Sequence, residues 1–397
     1  MFSIFTIAVV LLIFYGSILR YGVNIPYLDD YFIILDFLNK CLHSPHVGEK
    51  VMLISAQWGE HRPAFTKVVS LMLYGLTGEI NFKVLMFIGD LSFVGLLILF
   101  YKTLPKENRL LAVLPVAFVL FQPQFYGYLY FAMASLGQLW VLTFAFLSVY
   151  FVTKEQEKDF LLAIFFMLLS FFTNANGFLV FPIGLIPLVM HRKHKRTFIW
   201  FISGIITLFL YFGNYHIPTY VPYSFSPATI RYFFRLVGSG IKPSIFIGIL
   251  FFLYFLYLVT VGYVKKNSPI FLFLLFVMIS ILLLSFGRGE MNHFSIDVYK
   301  IYSVLLLVLY YVSVIDSIHT SKLKIIFPIL LSLSVMFNAW SYQTNNREIV
   351  AHRDFLKSEL AKLENGVPVN PPEMGFENLN IVFRMATTNG YYRPFHQ

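Results

Sequence analysis

Apolar runs of 14 to 22 residues follow one another along this chain, each closed by charges or by Gly, Pro and Asn. As a helix, a run near 20 residues spans the ~30 Å hydrocarbon layer of a bilayer, so the pattern predicts an all-α polytopic membrane protein. We expect eleven spans, near 2–19, 82–101, 109–122, 132–152, 160–173, 177–190, 197–213, 244–264, 269–286, 299–317 and 325–341. Two of them, 109–122 and 160–173, are short for a full crossing. "TNANGF" at 173–178 reads equally as the tip of a re-entrant pair, which lowers the count to nine. The first run, "FSIFTIAVVLLIFYGSIL", lacks a basic lead and a small-residue cleavage site, and is expected to stay as a span.

Composition agrees. The 397 residues are 58% hydrophobic and only 13% charged, about half the charge of an ordinary soluble domain. The single cysteine, Cys41, excludes an internal disulfide framework and a cysteine-based metal site. The net charge of +10 sits in short clusters between spans, which suits membrane orientation better than nucleic-acid binding.

Alternate connections read "KTLPKENR", "TKEQEKD", "HRKHKR", "VKKN" and "HTSKLK", and hold thirteen of the thirty lysines and arginines. The positive-inside rule makes them cytoplasmic, with the N-terminus. An odd span count then puts the tail outside, so residues 1–341 read as a membrane domain and 342–397 as an outer-face tail. The outward connections are a first loop at 20–81, stretches near 122–131 and 214–243, "GRGEMNHFSID" at 287–297, and that tail. They carry most of the Asp, Glu, Pro, Tyr and Asn, and function concentrates in such connections.

In the first loop, "DDYFIILDFLNKCLH" after Pro26 puts Asp29, Asp36, Lys40 and His43 on one helical face. It reads as an amphipathic helix lying at the membrane surface. One of Asp29 and Asp30 serves as a helix cap on the simplest reading, which leaves the other without a structural task. A carboxylate at the bilayer interface is costly to desolvate and is suited to take a proton from a hydroxyl that attacks carbon. "QWGEHRP" at 57–63 follows, with Pro63 opening a second helix. Its polar side chains read either as an interfacial loop or as a pocket where Arg62, with His61, binds a phosphate. The spacing after Glu60–His61 is not that of a zinc-protease helix, and no metal site is assigned.

These residues resemble the GT-C superfamily of integral-membrane glycosyltransferases: an acidic pair in the first loop, an amphipathic helix, then a His/Arg motif. "DDY" followed by "QWGEHRP" is similar to a bacterial branch whose loop often reads close to Q-H-N-E-H-R. Gln57, Glu60, His61 and Arg62 are kept, while Trp58 and Gly59 depart from the pattern. The plan of spans and long loops fits over 1–341. The resemblance implies transfer of a sugar from a polyprenyl-phosphate carrier to a polysaccharide or glycolipid acceptor on the outer face, with a first-loop aspartate, Asp29 or Asp30, as the base. Glu60 joins them as a candidate catalytic acid. Some members use a divalent metal near these acids and others do not, so the cofactor stays open.

The implied donor phosphate calls for outward cations, and Arg62, Arg231, Arg235, Lys242, Arg288 and Lys300 are placed there, Arg288 ranking second to Arg62. Asn174 and Asn176 in "FFTNANGFLVFP" can line a sugar site or cap a turn. Asp90 lies inside the second span, where an acid needs a partner. There is no G-x-G-x-x-G opening a helix after a strand and no P-loop, in keeping with a donor carried by lipid and no nucleotide cofactor. The tail begins with a helical face of Ile349, Leu356, Leu360 and Leu363, followed by "VPVNPPEMGFENL" as loop and a mixed strand and turn segment to the end. Competing classes are a polytopic transporter or flippase, which would want acids in several spans or a repeat, and a polysaccharide polymerase or ligase, which relies on outer arginines.

Overall fold

Inside a bilayer the backbone must satisfy its own hydrogen bonds, and the apolar runs do fold as helices. The computed structural model describes residues 2–219, 223–291, 296–318, 320–365 and 379–394. The described chain is 79% helix with no strands. Among the described residues seven helices are long and apolar enough to cross a membrane: Phe2–Tyr21, Phe82–Thr103, Ala132–Val152, His194–Phe212, Ser268–Arg288, Asp297–Ser317 and Ile325–Glu364. The other four expected spans fall on shorter helices, Arg109–Leu120, Glu157–Phe171, Ala175–Met190 and Ser244–Thr260. At ~1.5 Å per residue these fall short of the hydrocarbon thickness. Leu12 and Phe209, on two of the long helices, are 73% and 78% exposed. Apolar surface of that kind on a long helix suits lipid contact.

The Phe82–Thr103 and Ala132–Val152 helices run parallel, Gly89 against Ser135 and Gly95 against Thr143. A Cβ on Gly89 would stand 2.2 Å from the Ser135 hydroxyl, so this approach requires glycine. The parallel course brings the basic connections to one end. Arg196 donates to Lys154 O at 3.0 Å, Lys193 pairs with Glu155 at 2.8 Å, and Asn267 donates to Thr103 O at 3.4 Å. Of "HTSKLK", residue 319 and the side chains of 320–324 lie outside the described residues.

At the opposite end the first loop and the C-terminal segment build a second core. Ile33, Ile34, Leu35 and Leu38 are fully buried there with Leu356, Val382, Phe383 and Tyr392. The "DDYFIILD" segment is helical, a π-turn at Tyr31–Asp36 continuing into Phe37–His43. Its apolar face packs on protein rather than lying on a membrane surface, because the C-terminal Leu379–Thr388 helix covers it. That helix replaces the mixed strand and turn segment expected near the end. The tail's start continues the last span as a single helix, Thr320–Glu364, in which Ile349, Leu356, Leu360 and Leu363 are buried. The loop "VPVNPPEMGFENL" lies outside the described residues apart from its last leucine. Asn24 clasps the two segments: its Nδ2 donates to Arg393 O at 3.0 Å, and its carbonyl accepts from the Tyr392 hydroxyl at 2.8 Å.

Candidate functional site

The site is built on a two-residue hairpin in the first loop. Trp58 and His61 exchange both backbone hydrogen bonds, at 2.8 and 2.9 Å, around Gly59 and Glu60. Gly59 has φ 54°, the left-handed value that tight hairpins of this kind need at the first central position. The turn points Glu60 and His61 into a cavity of about 560 Å³. The C-terminal end of Ser268–Arg288 supplies Arg288, the Asn174–Asn176 turn supplies its amides, and Tyr211, Tyr299 and Tyr302 complete much of the wall.

Arg288 donates from Nη2 to Glu60 Oε1 at 2.7 Å, an ion pair only 11% and 13% exposed. The Arg288 Nε also reaches the Tyr299 hydroxyl at 3.4 Å. His61 Nδ1 accepts from the Ala175 N–H at 3.3 Å, which puts its ring proton on Nε2, 3.5 Å from Glu60 Oε2. Burial lowers the His61 pKa, against the pull of Glu60, so the ring is neutral at pH 7. Asn176 donates to Ser280 Oγ at 3.2 Å and to the Tyr302 hydroxyl at 3.0 Å, while its Oδ1 has no partner among the described residues. An anion at Arg288 and a hydroxyl donor at Asn176 are what this cavity is equipped to hold. Exposed Tyr223 and Phe225 at its rim suit an apolar chain.

The two aspartates have different surroundings. Asp30 is fully buried; its carboxylate accepts from the Tyr27 N–H at 3.0 Å and the Met133 N–H at 2.8 Å. It therefore caps the Ala132–Val152 helix from a distant part of the chain. Asp29 is part-exposed and follows Leu28, whose φ of 45° is unusual for a residue with a side chain. Its Oδ1 accepts from Trp58 Nε1 at 2.9 Å. Burial pushes the Asp29 carboxyl above the ordinary carboxylate range, the Trp58 bond pulls it back, and the Glu60 charge raises it again. Asp29 is not among the residues lining the cavity; it is coupled to the hairpin through Trp58.

The remaining sequence candidates divide. Arg62 lies away from the cavity wall, with its donors on the carbonyls of Ser55, Tyr211 and Gly213, at 2.6, 2.6 and 2.5 Å. Gln57 joins the loop after His194–Phe212, donating to His216 O at 2.6 Å and accepting from His216 N at 2.9 Å. Lys300 pairs with Asp297 at 2.7 Å and lines a second cavity instead. Asp90 is fully buried, lines neither cavity, and both carboxylate oxygens lack partners among the described residues. Among the described residues no group of three His, Cys, Asp or Glu is placed to hold a metal ion. The tyrosines of the wall went unnoticed in the sequence; their signal was the spacing "VYKIYS" and the tyrosine-rich stretch after residue 210.

No protein-family model, curated protein or solved structure matches the chain. Fold and site together define the class: a protein whose described residues are helical without strands, with seven helices among them fit to span a membrane, and a charged cluster at one end.

Proposed function

We propose that the chain is a glycosyltransferase of the GT-C kind, moving a sugar from a polyprenyl-phosphate carrier to a glycan or glycolipid acceptor on the outer face of a membrane, in bacteria the cytoplasmic membrane. The observation that carries this reading is the Glu60–Arg288 pair, with neutral His61, on the wall of an apolar cavity with aromatic residues at its rim. A lipid-linked donor needs that combination: an apolar channel for the chain and a positioned cation where the phosphate leaves. The basic connections gather at the other end, and the positive-inside rule assigns that end to the cytoplasm.

In this reading the acceptor oxygen attacks the anomeric carbon and the bond from that carbon to the phosphate oxygen breaks. The electron pair leaves on polyprenyl phosphate, whose growing charge Arg288 stabilises, and Asn176 holds a sugar hydroxyl. The acceptor proton goes to Asp29, directly or through one water, from a hydroxyl entering beside the hairpin. Asp30 is a structural cap and Glu60 orients Arg288. The related loop pattern has Asn where this chain has Gly59, and Asn also tolerates a left-handed φ. The same hairpin is therefore open to both sequences.

A transporter would draw on Asp90, but a buried acid away from both cavities makes no path. The proposal is tested by binding of a photoactivatable polyprenyl-phosphate sugar to purified protein. Glu60→Gln with Arg288→Gln removes the pair without leaving a lone buried charge, and is expected to weaken binding about tenfold or more. Unchanged binding in a folded double variant contradicts the donor site.

A further inference from the structure

A second cavity, of about 990 Å³, lies on the other side of the 287–291 segment. Gly287 and Arg288 line the first cavity, while Gly289 and Met291 line the second. Its character is different. The Pro227–Val237 helix, started by a Ser226–Thr229 capping box with Pro227 in its first turn, turns Arg231 and Arg235 toward it one helical turn apart. Lys242 joins them from the following loop. Among the described residues none of these three cations has an acidic partner within salt-bridge distance. Two like charges four residues apart on a helix repel, and no ion pair among the described residues offsets the cost here. Lys300 is matched by Asp297, and Glu348 adds one further acid to the wall.

An independent observation sits in the same wall. Gln124 is 2% exposed; its Nε2 donates to Gly240 O at 3.2 Å, but its Oε1 has no partner among the described residues. The Tyr232 hydroxyl, also buried, has none among them either. A buried acceptor left empty is costly, so a ligand bringing a hydroxyl donor is favoured there. The cations ask for an anion and the orphan groups for hydroxyls. Tyr126 and Trp340 add flat aromatic surface beside them.

We infer that this cavity binds an anionic saccharide, one carrying phosphate or carboxylate groups. Resting on the reading of the first cavity as the donor site, we assign this ligand the part of acceptor. Its volume is at the upper end for ligand pockets and exceeds what a single phospholipid headgroup fills. The 287–291 segment then lies between the donor and the part of the acceptor held here, with Arg288 at the partition, and the reacting end of the acceptor extends past it to the hairpin.

The test measures binding to full-length protein in nanodiscs of zwitterionic lipid, so it does not depend on transfer or on a donor. The probes are a short glycerol-phosphate oligomer and a neutral glucose oligomer of equal length. Wild type is compared with Arg231→Gln/Arg235→Gln, and, for the orphan acceptor, with Gln124→Leu. We expect salt-sensitive binding of the anionic oligomer, weakened about tenfold or more in the double arginine variant and weakened in Gln124→Leu, with the neutral oligomer bound poorly throughout. Equal affinity for both oligomers, or no effect of the arginine substitutions, overturns the inference. Nanodiscs containing phosphatidylglycerol supply the lipid arm: if that lipid displaces the oligomer and is itself lost in the double variant, the cavity is a headgroup site and the saccharide assignment falls. Unchanged donor binding in the folded Glu60/Arg288 double variant would instead count against the proposed function and leave the anion site standing.

Discussion

What a carboxylate does is decided by what its oxygens already hold. Asp30 accepts backbone N–H groups on both oxygens and is fully buried. Asp30→Asn puts an amide N–H against one of those donors, and is expected to lower stability by about 1–3 kcal/mol, read as a drop in the unfolding temperature in detergent. Asp29→Asn leaves the thermal transition where it was and reduces turnover at least about 100-fold, the range for losing a general base. The sequence left this choice open because the deciding contact, Asp30 to Met133, bridges 103 positions of chain. A pH profile separates Asp29 from its neighbours. The base works ionised, so kcat/KM falls as pH drops through the Asp29 pKa, which burial has raised above the ordinary ~3.9. Trp58→Phe removes the bond that lowers this pKa and moves the acid limb to higher pH. Glu60→Gln removes a nearby negative charge and moves the limb to lower pH. Shifts of opposite sign are expected, and shifts of the same sign would show that the limb belongs to another group.

At the scale of elements, the polar loop motif owes much of its content to helix ends. The Val47–Ser55 helix finishes with unpaired carbonyls, and two cations close it: Lys67 donates to Leu53 O and Ala56 O, both at 2.9 Å, and Arg62 to Ser55 O. Arg62 also ties the loop to the end of His194–Phe212. An arginine next to a histidine and a glutamate looks like a phosphate site in sequence; the carbonyls that occupy it come from helix ends 7 to 151 positions away. Arg62→Ala is expected to destabilise the protein by upward of about 3 kcal/mol, measured by thermal unfolding, with donor affinity per folded molecule preserved. The amphipathic character of 29–43 was legible, since its apolar period is local. What covers that face was not, because the Leu379–Thr388 helix lies at the far end of the chain.

For the whole molecule, the alternation of apolar runs and basic connections was readable because lipid imposes it on every segment separately. The number of full crossings was less so: a short apolar run looks the same whether it crosses, re-enters or packs inside. The two-ended arrangement predicts a labelling pattern. In a Cys41→Ser background, Lys195→Cys is expected to be shielded from a membrane-impermeant maleimide in intact cells, and Lys357→Cys to react. The reverse pattern would turn the protein over and move both cavities to the cytoplasmic side. The central claim is sugar transfer from a lipid carrier, and its most direct measurement is release of polyprenyl phosphate by purified protein given a panel of polyprenyl-phosphate sugars and an acceptor glycan. We predict release with at least one donor by wild type and its loss in folded Asp29→Asn. No release from any donor, or equal release by Asp29→Asn, would contradict the account.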